Sequence, residues 1–107
     1  MASVNAVVTK NSESGSYDAL IDGEVIASLV YDVEASHVAL THMYVLPEFR
    51  HHGVATEVIE TALADIRESG LTVTVLCEAV RHYLSEHPEQ RDVISAEDPG
   101  YPVDDSK

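Results

Sequence analysis

Tryptophan is absent from this chain, and three other residue types are nearly so: one cysteine, Cys77, one phenylalanine, Phe49, and two lysines, Lys10 and Lys107. A single cysteine cannot form an internal disulfide, which excludes a secreted, disulfide-stapled scaffold. Six Lys and Arg face nineteen Asp and Glu, for a net charge of −13. A surface this poor in cations lacks the basic patch that nucleic acid or an anionic membrane requires, so neither is expected as a partner. No apolar run approaches the roughly 20 residues of a membrane span. The opening Met1-Ala2-Ser3-Val4-Asn5 has neither the basic stretch nor the apolar core of a signal peptide. These absences make the cytoplasm the expected compartment. The acidity itself has two readings: solubility, including in a salty cytosol, or attraction of cationic substrates such as amines.

What remains is a 107-residue chain, 45% apolar, with no internal repeat and no linker. That is the size of one domain with one modest core. The expected division is residues 1–96 as the folded domain and 97–107 as an acidic, disordered tail, because the latter holds mostly Asp, Glu, Pro and Gly.

Hydrophobic periodicity orders the domain. Val4 to Thr9 reads as a first strand. Tyr17, Ala19 and Ile21 alternate with polar neighbours, and Asp22-Gly23 follows, a strong hairpin signal. Val25 to Tyr31 is apolar on both faces and reads as a central strand. Asp32 to Ser36 is a second turn, and Val38 to Val45 a fourth strand. After Pro47 the period changes: Val54, Val58, Ile59, Ala62, Leu63 and Ile66 share one helical face, and Gly70 marks the stop. Leu71 to Leu76 is a strand placed parallel to the one ending at Val45 by a right-handed crossover. Ala79, Val80, Tyr83 and Leu84 line a second helix that Pro88 ends, and Gln90 to Ile94 fits one more turn. The order β-β-β-β-α-β-α is a mixed α/β (α+β) sandwich: an antiparallel meander feeding one βαβ unit and a last helix.

The segment Val45-Leu46-Pro47-Glu48-Phe49-Arg50-His51-His52-Gly53-Val54-Ala55-Thr56 joins a strand to a long amphipathic helix. The first amides of a helix lack internal partners and carry the positive end of its dipole. Gly53 allows close approach of a ligand, and Ala55 keeps the next turn low. Residues His51 to Thr56 therefore form a candidate pyrophosphate cradle, with Arg50, His51 and His52 as the one cationic cluster in the chain. The acidic net charge does not forbid an anion there. Charges beyond about 8 Å are largely screened at physiological salt, whereas each charge-assisted hydrogen bond contributes about 1.5–3 kcal/mol at contact. The alternative is that Gly53 and Ala55 only permit close helix–sheet packing.

The strand–PEFRxxGVA–helix segment resembles the coenzyme-A-binding motif of the GCN5-related N-acetyltransferases (GNATs), Q/R-x-x-G-x-G/A, on Arg50, Gly53 and Ala55. The flanks Thr41-His42-Met43-Tyr44-Val45, Leu76-Cys77, Tyr83-Leu84 and His87-Pro88-Glu89 resemble the small single-domain subfamily called N-acetyltransferase domain-containing proteins, over about Tyr17 to Ile94. The resemblance implies a compact GNAT-like fold in which the strands ending at Val45 and Leu76 splay apart. Acetyl-CoA would lie between them, its pantetheine arm bonded by backbone near Met43, Tyr44 and Val45. Its pyrophosphate would rest on His51, His52, Gly53, Val54, Ala55 and Thr56. Val75 and Glu78 stand where the subfamily often has prolines. The chain also lacks the helices and last strands that in larger GNATs hold the acceptor.

The same resemblance nominates Cys77 and Tyr83 as catalytic residues, and His42 is added from its place in the strand before the motif. Cys77, between a strand and a helix N-terminus, is an acyl-accepting nucleophile or a proton donor to coenzyme A; the alternative is a small buried apolar residue. Tyr83 corresponds to the general acid many GNATs use toward the thiolate; the alternative is core packing. His42 shares a face with Val38, Leu40 and Tyr44 if its strand is regular, and is the candidate base for the amine; the alternative is a hydrogen-bonded structural histidine. Six histidines match no metal-ligand spacing, and no metal is expected. The resemblance thus implies acetyl transfer from acetyl-CoA to a primary amine, on a small molecule or a peptide. The transfer would run by direct attack, with a covalent route through Cys77 as the variant. The alternative function is a non-catalytic acyl-CoA-binding or regulatory module. The chain is expected as a monomer or weak homodimer.

Overall fold

The computed structural model describes residues 6–101. The expectations for Met1–Asn5 and for residues 102–107 lie outside the described residues. Five strands, β1 (Val7–Asn11), β2 (Ser16–Ile21), β3 (Glu24–Glu34), β4 (His37–Val45) and β5 (Thr72–Val75), form one sheet in sequence order. The first four pair antiparallel, and β5 pairs parallel to β4 from His37↔Thr72 to Leu40↔Val75. Helix α1 (Val54–Glu68) makes the crossover, and α2 (Glu78–Glu86) follows β5. Short 3₁₀ turns at Pro47–Phe49 and Pro88–Val93 flank them. No described helix is long and apolar enough to cross a membrane.

Local chemistry explains the connections. The β2–β3 turn uses Asp22 (φ 51°) and Gly23 (φ 80°), the pair of left-handed residues that matches strand twist in a two-residue hairpin. The β3–β4 turn is tighter than the sequence suggests, because β3 runs on to Glu34 and the reversal falls on Ala35-Ser36. The first strand starts at Val7 and extends to Asn11, later than the expected Val4 to Thr9. Helix α1 ends in a Schellman motif: Gly70 N–H donates to Arg67 and Leu71 N–H to Ile66.

The core lies between the helices and one face of the sheet. Val54, Val58, Ile59, Ala62, Leu63 and Ile66 of α1 are buried as their spacing demands. They meet Tyr17, Ala19, Ala27, Leu29, Leu40, Val73 and Val75 from the sheet, with Val80 and Leu84 of α2. Tyr17 Oη donates to Asp65 of α1 at 2.7 Å, and Lys10 Nζ lies 3.5 Å from the same carboxylate, tying β1 and β2 to the helix. Opposite the helices, the nearly buried Asp18 accepts from Ser16 Oγ and Ser28 Oγ at 2.8 Å and from Asn11 Nδ2 at 3.4 Å. Three donors from β1, β2 and β3 satisfy a carboxylate that would be costly to bury alone.

Two features of β4 position everything that follows. Its pairing with β5 stops at Leu40↔Val75, with one further bond from Leu76 N–H to Leu40 O. Beyond it β4 continues to Val45 while the chain after Leu76 turns into α2, so the two strands part. The register with β3 also slips here: Tyr31 pairs with Leu40 but Val30 pairs with His42. Thr41 is the extra residue of a β-bulge, and its Oγ1 donates to Val30 O at 3.3 Å.

The bulge corrects the expected face of His42. Val38 and Leu40 point to the core, and after one inserted residue Met43 and Val45 take over that side. Thr41, His42 and Tyr44 are exposed. His42 thus shares its side with Tyr44 but not with Val38 and Leu40. The segment from Asp98 to Tyr101 also departs from the expected disordered tail, because it is hydrogen-bonded to β5. Thr74 Oγ1 donates to Asp98 O, Val75 N–H to Pro99 O, and Tyr101 N–H to Val75 O, at 2.6–2.9 Å.

Candidate functional site

The cradle is built by a strand, a tight turn and a helix start. Pro47–Phe49 forms the 3₁₀ turn, closed by Phe49 N–H to Leu46 O and Arg50 N–H to Pro47 O. His51 (φ 68°) and Gly53 (φ 81°) are both left-handed. That reversal leaves the start of α1 lining the same hollow as Val45, the last residue of β4. Glu57 N–H is the first to bond within the helix, to Gly53 O, and no side chain caps the turn. The amides of Val54, Ala55 and Thr56 precede that bond and therefore lack i−4 partners. They face a hollow of about 290 Å3 lined by Val45, Phe49, Arg50, His51 and residues 53–56. A Cβ on Gly53 would meet nothing within 4 Å, so the glycine serves its φ and an open approach, not close packing. His52 is exposed on the same turn.

Arg50 has a structural duty that its place in a cationic cluster did not reveal. Its Nε donates to Val45 O at 3.1 Å, bracing the end of β4 against the cradle. The Val45 carbonyl, expected to face a pantetheine arm, therefore already accepts one hydrogen bond.

A second cleft, of about 710 Å3, opens where β4 and β5 part. Thr41, His42 and Met43 form its β4 side, Leu76 to Ala79 and Arg81 its α2 side, and Tyr101 its outer edge. Cys77 is the N-cap residue of α2 and only 6% exposed, and it shares this cleft with His42 and Met43. The structure so brings together two stretches far apart in sequence, His42-Met43 and Cys77. Met43 to Val45 link the two hollows along one short stretch of strand. Among the described residues no three His, Cys, Asp or Glu converge on a point where a metal could sit.

A family model described as GCN5-related N-acetyl-transferase matches residues 16–93. The chain belongs to that family. A search of curated proteins gives no match. Among solved structures, the chain is similar to an acetyltransferase from Vibrio fischeri at 17% identity and TM-score 0.48, covering 58% of this chain and 59% of that one. It is also similar to the aminoglycoside N-acetyltransferase AAC(6')-Iy, solved in complex with CoA, at 21% identity and TM-score 0.46, covering 86% of this chain and 74% of that one.

In this GCN5-related chain Tyr83 stands apart from the cleft-lining residues. It is 4% exposed, its Oη donates to Glu60 Oε2 of α1 at 3.2 Å, and its ring stacks on His87 at 4.1 Å. Burial, and then the Glu60 carboxylate, push its phenol up to about 12. Tyr17 is raised further, by burial first and by Asp65 next. Both phenols stay protonated in the fold at a pH where an unfolded tyrosine ionises, near 10. A raised folded value adds stability that is complete below pH 10 and is lost as pH climbs through the folded value. Thermal melts from pH 9 to 12 should therefore fall steeply above pH 10, and Tyr17→Phe with Tyr83→Phe should flatten that limb. An unchanged slope in the double variant would mean that other groups set the alkaline limit.

Two features here go beyond the sequence expectations: the Arg50–Val45 brace and the place of Tyr101. The first was readable in principle, since an arginine directly after a 3₁₀ turn reaches the preceding strand.

Proposed function

We propose that the chain is an acetyl-CoA-dependent N-acetyltransferase acting on a primary amine. The observation that carries this reading is the continuity of the two hollows along Met43–Val45: uncapped helix amides at one end, and a cleft holding Cys77 and His42 at the other. Coenzyme A is a diphosphate joined by a long flexible arm to a thiol, and such a ligand has those two requirements. The cradle fits it: the amides are uncapped, Gly53 leaves the approach open, and an arginine and two histidines flank the turn.

When bound, acetyl-CoA supplies the activated acyl group. The protein's own share is chiefly to fix two reactants in register, which can contribute about 7–11 kcal/mol to lowering a barrier. Amides 54–56 and Gly53 would hold the diphosphate, and the Arg50 Nε bond to Val45 O braces the strand end next to them. His42, exposed in the cleft, takes the proton from the incoming ammonium. Cys77 lines the same cleft, and the amine would attack the thioester directly, the new C–N bond replacing the acyl C–S bond and coenzyme A leaving as the free thiol. The phenol of Tyr83, protonated and bonded to Glu60, locks α1 to α2. The acidic surface favours approach of cationic amines.

Calorimetry should give saturable binding of acetyl-CoA, one ligand per chain. Release of free thiol, followed with polyamines, aminoglycosides, amino acids and peptide N-termini, should single out an acceptor class. Absence of heat at high-micromolar ligand would sink the reading, and coenzyme A binding without thiol release in any well would favour a regulatory module. With a good acceptor, Cys77→Ala should keep turnover within roughly tenfold of the parent; a far larger loss with unchanged acetyl-CoA affinity would place the acyl group on the thiol.

A further inference from the structure

β5 is the last strand of the sheet, so its outer edge is a row of backbone groups in need of partners. The chain after the last 3₁₀ turn supplies them. Ser95 N–H donates to Val73 O at 2.8 Å, and the Asp98–Tyr101 bonds to Thr74 and Val75 continue the row. Asp98 N–H donates to Ser95 Oγ at 3.1 Å, and His37 Nε2 lies 3.4 Å from Asp98 Oδ2. Gly100 fits so closely on Val75 that a Cβ there would run into its backbone, and its φ is +80°. This is a fitted strap, and it ends by setting Tyr101 on the open side of the cleft that holds Cys77 and His42.

We propose that Tyr101 is a specificity-determining residue, the acceptor-side wall of the cleft, held in place by the Ser95–Tyr101 strap. The proposal rests on reading that cleft as the acceptor site. The other lining residues belong to β4 and to the stretch from Leu76 into α2, elements held by the sheet and the core. Tyr101, half-exposed (47%), is the lining residue that stands on a separate segment. The ring presents a flat apolar surface, so the mouth admits a slim, chain-like primary amine and turns away a broad fused or multi-ring one.

The single cysteine makes a clean reporter, because any thiol label can fall only on Cys77. The probes are two neutral maleimides, slim N-ethylmaleimide and broad N-(1-pyrenyl)maleimide, applied to the full chain. The parent should react much faster with the slim one than with the broad one. Tyr101→Ala should raise the broad reagent's rate on the order of tenfold and barely change the slim one's, since local opening and not global unfolding governs access. Tyr101→Phe should keep the parent's discrimination, since the ring and not the hydroxyl forms the wall. Gly100→Val, which unseats the strap, should behave like Tyr101→Ala; should it fail to fold, the half-exposed Tyr101 still decides. Unchanged discrimination in Tyr101→Ala, or an equal gain in Tyr101→Phe, overturns the proposal. Neither readout depends on acetyl transfer, so a failure of acetyl-CoA to bind the parent would defeat the proposed activity and leave this result distinct.

Discussion

Ala55→Asp should weaken acetyl-CoA binding by roughly two to four orders of magnitude while leaving the protein as heat-stable as before, or slightly more so. The two effects come from the same place. A carboxylate in the first turn of α1 is favoured by the helix dipole, by about 0.3–1 kcal/mol. Ala55 is partly exposed, so the added atoms displace no core. The same carboxylate would occupy the amides proposed to bind the diphosphate. Losing two charge-assisted bonds of about 1.5–3 kcal/mol each gives the stated fall, since every 1.4 kcal/mol or so is tenfold. Calorimetry with acetyl-CoA and a thermal melt read the two sides separately. Parent-like affinity in a well-folded variant would mean that the turn at Gly53 does not hold the ligand.

Leu40→Ala has the largest expected effect on stability. Leu40 is fully buried, and it faces Val75 at the last parallel pair before β4 and β5 separate. The residues around it belong to sheet and helix, which cannot collapse into the space left. Such truncations cost about 2–5 kcal/mol, a large part of the roughly 5–15 kcal/mol that holds a domain together. At about 4–8 °C per kcal/mol for a domain of this size, the midpoint should drop by more than about 10 °C. Urea unfolding should show a lower midpoint with an unchanged slope. A drop of only a degree or two would mean that the sheet closes over the gap more readily than its hydrogen bonding suggests.

Much of the framework was legible because the deciding information is local. The turn at Asp22-Gly23 needs two left-handed residues, and those are the types that accept them. The buried face of α1 repeats at helical spacing, and Gly70 sits where a Schellman motif wants it. The turn into α1 was legible for the same reason: Arg50, Gly53 and Ala55 lie within six residues of one another. What was not legible depends on partners distant in sequence. Nothing in Leu40-Thr41-His42 marks an extra residue, because a bulge exists only relative to the opposing strand. The spacing of α2 puts Tyr83 on its apolar side but does not say how that side is turned, and it is turned to Glu60. The last segment is rich in Asp and Pro, which reads as disorder; its pairing depends on a vacant sheet edge and on Gly100 resting against Val75.

The inserted residue at Thr41 gives β4 two phases along one strand. Upstream, every second side chain feeds the interior; downstream, the other set does. Were the strand to run through without that bulge, all nine residues in even alternation, the two sets would exchange beyond Leu40, His42 turning inward and Met43 outward. Even-numbered positions before the insertion and odd-numbered positions after it therefore feed the interior, and a substitution on one side of the insertion obeys a different inside–outside rule from one on the other.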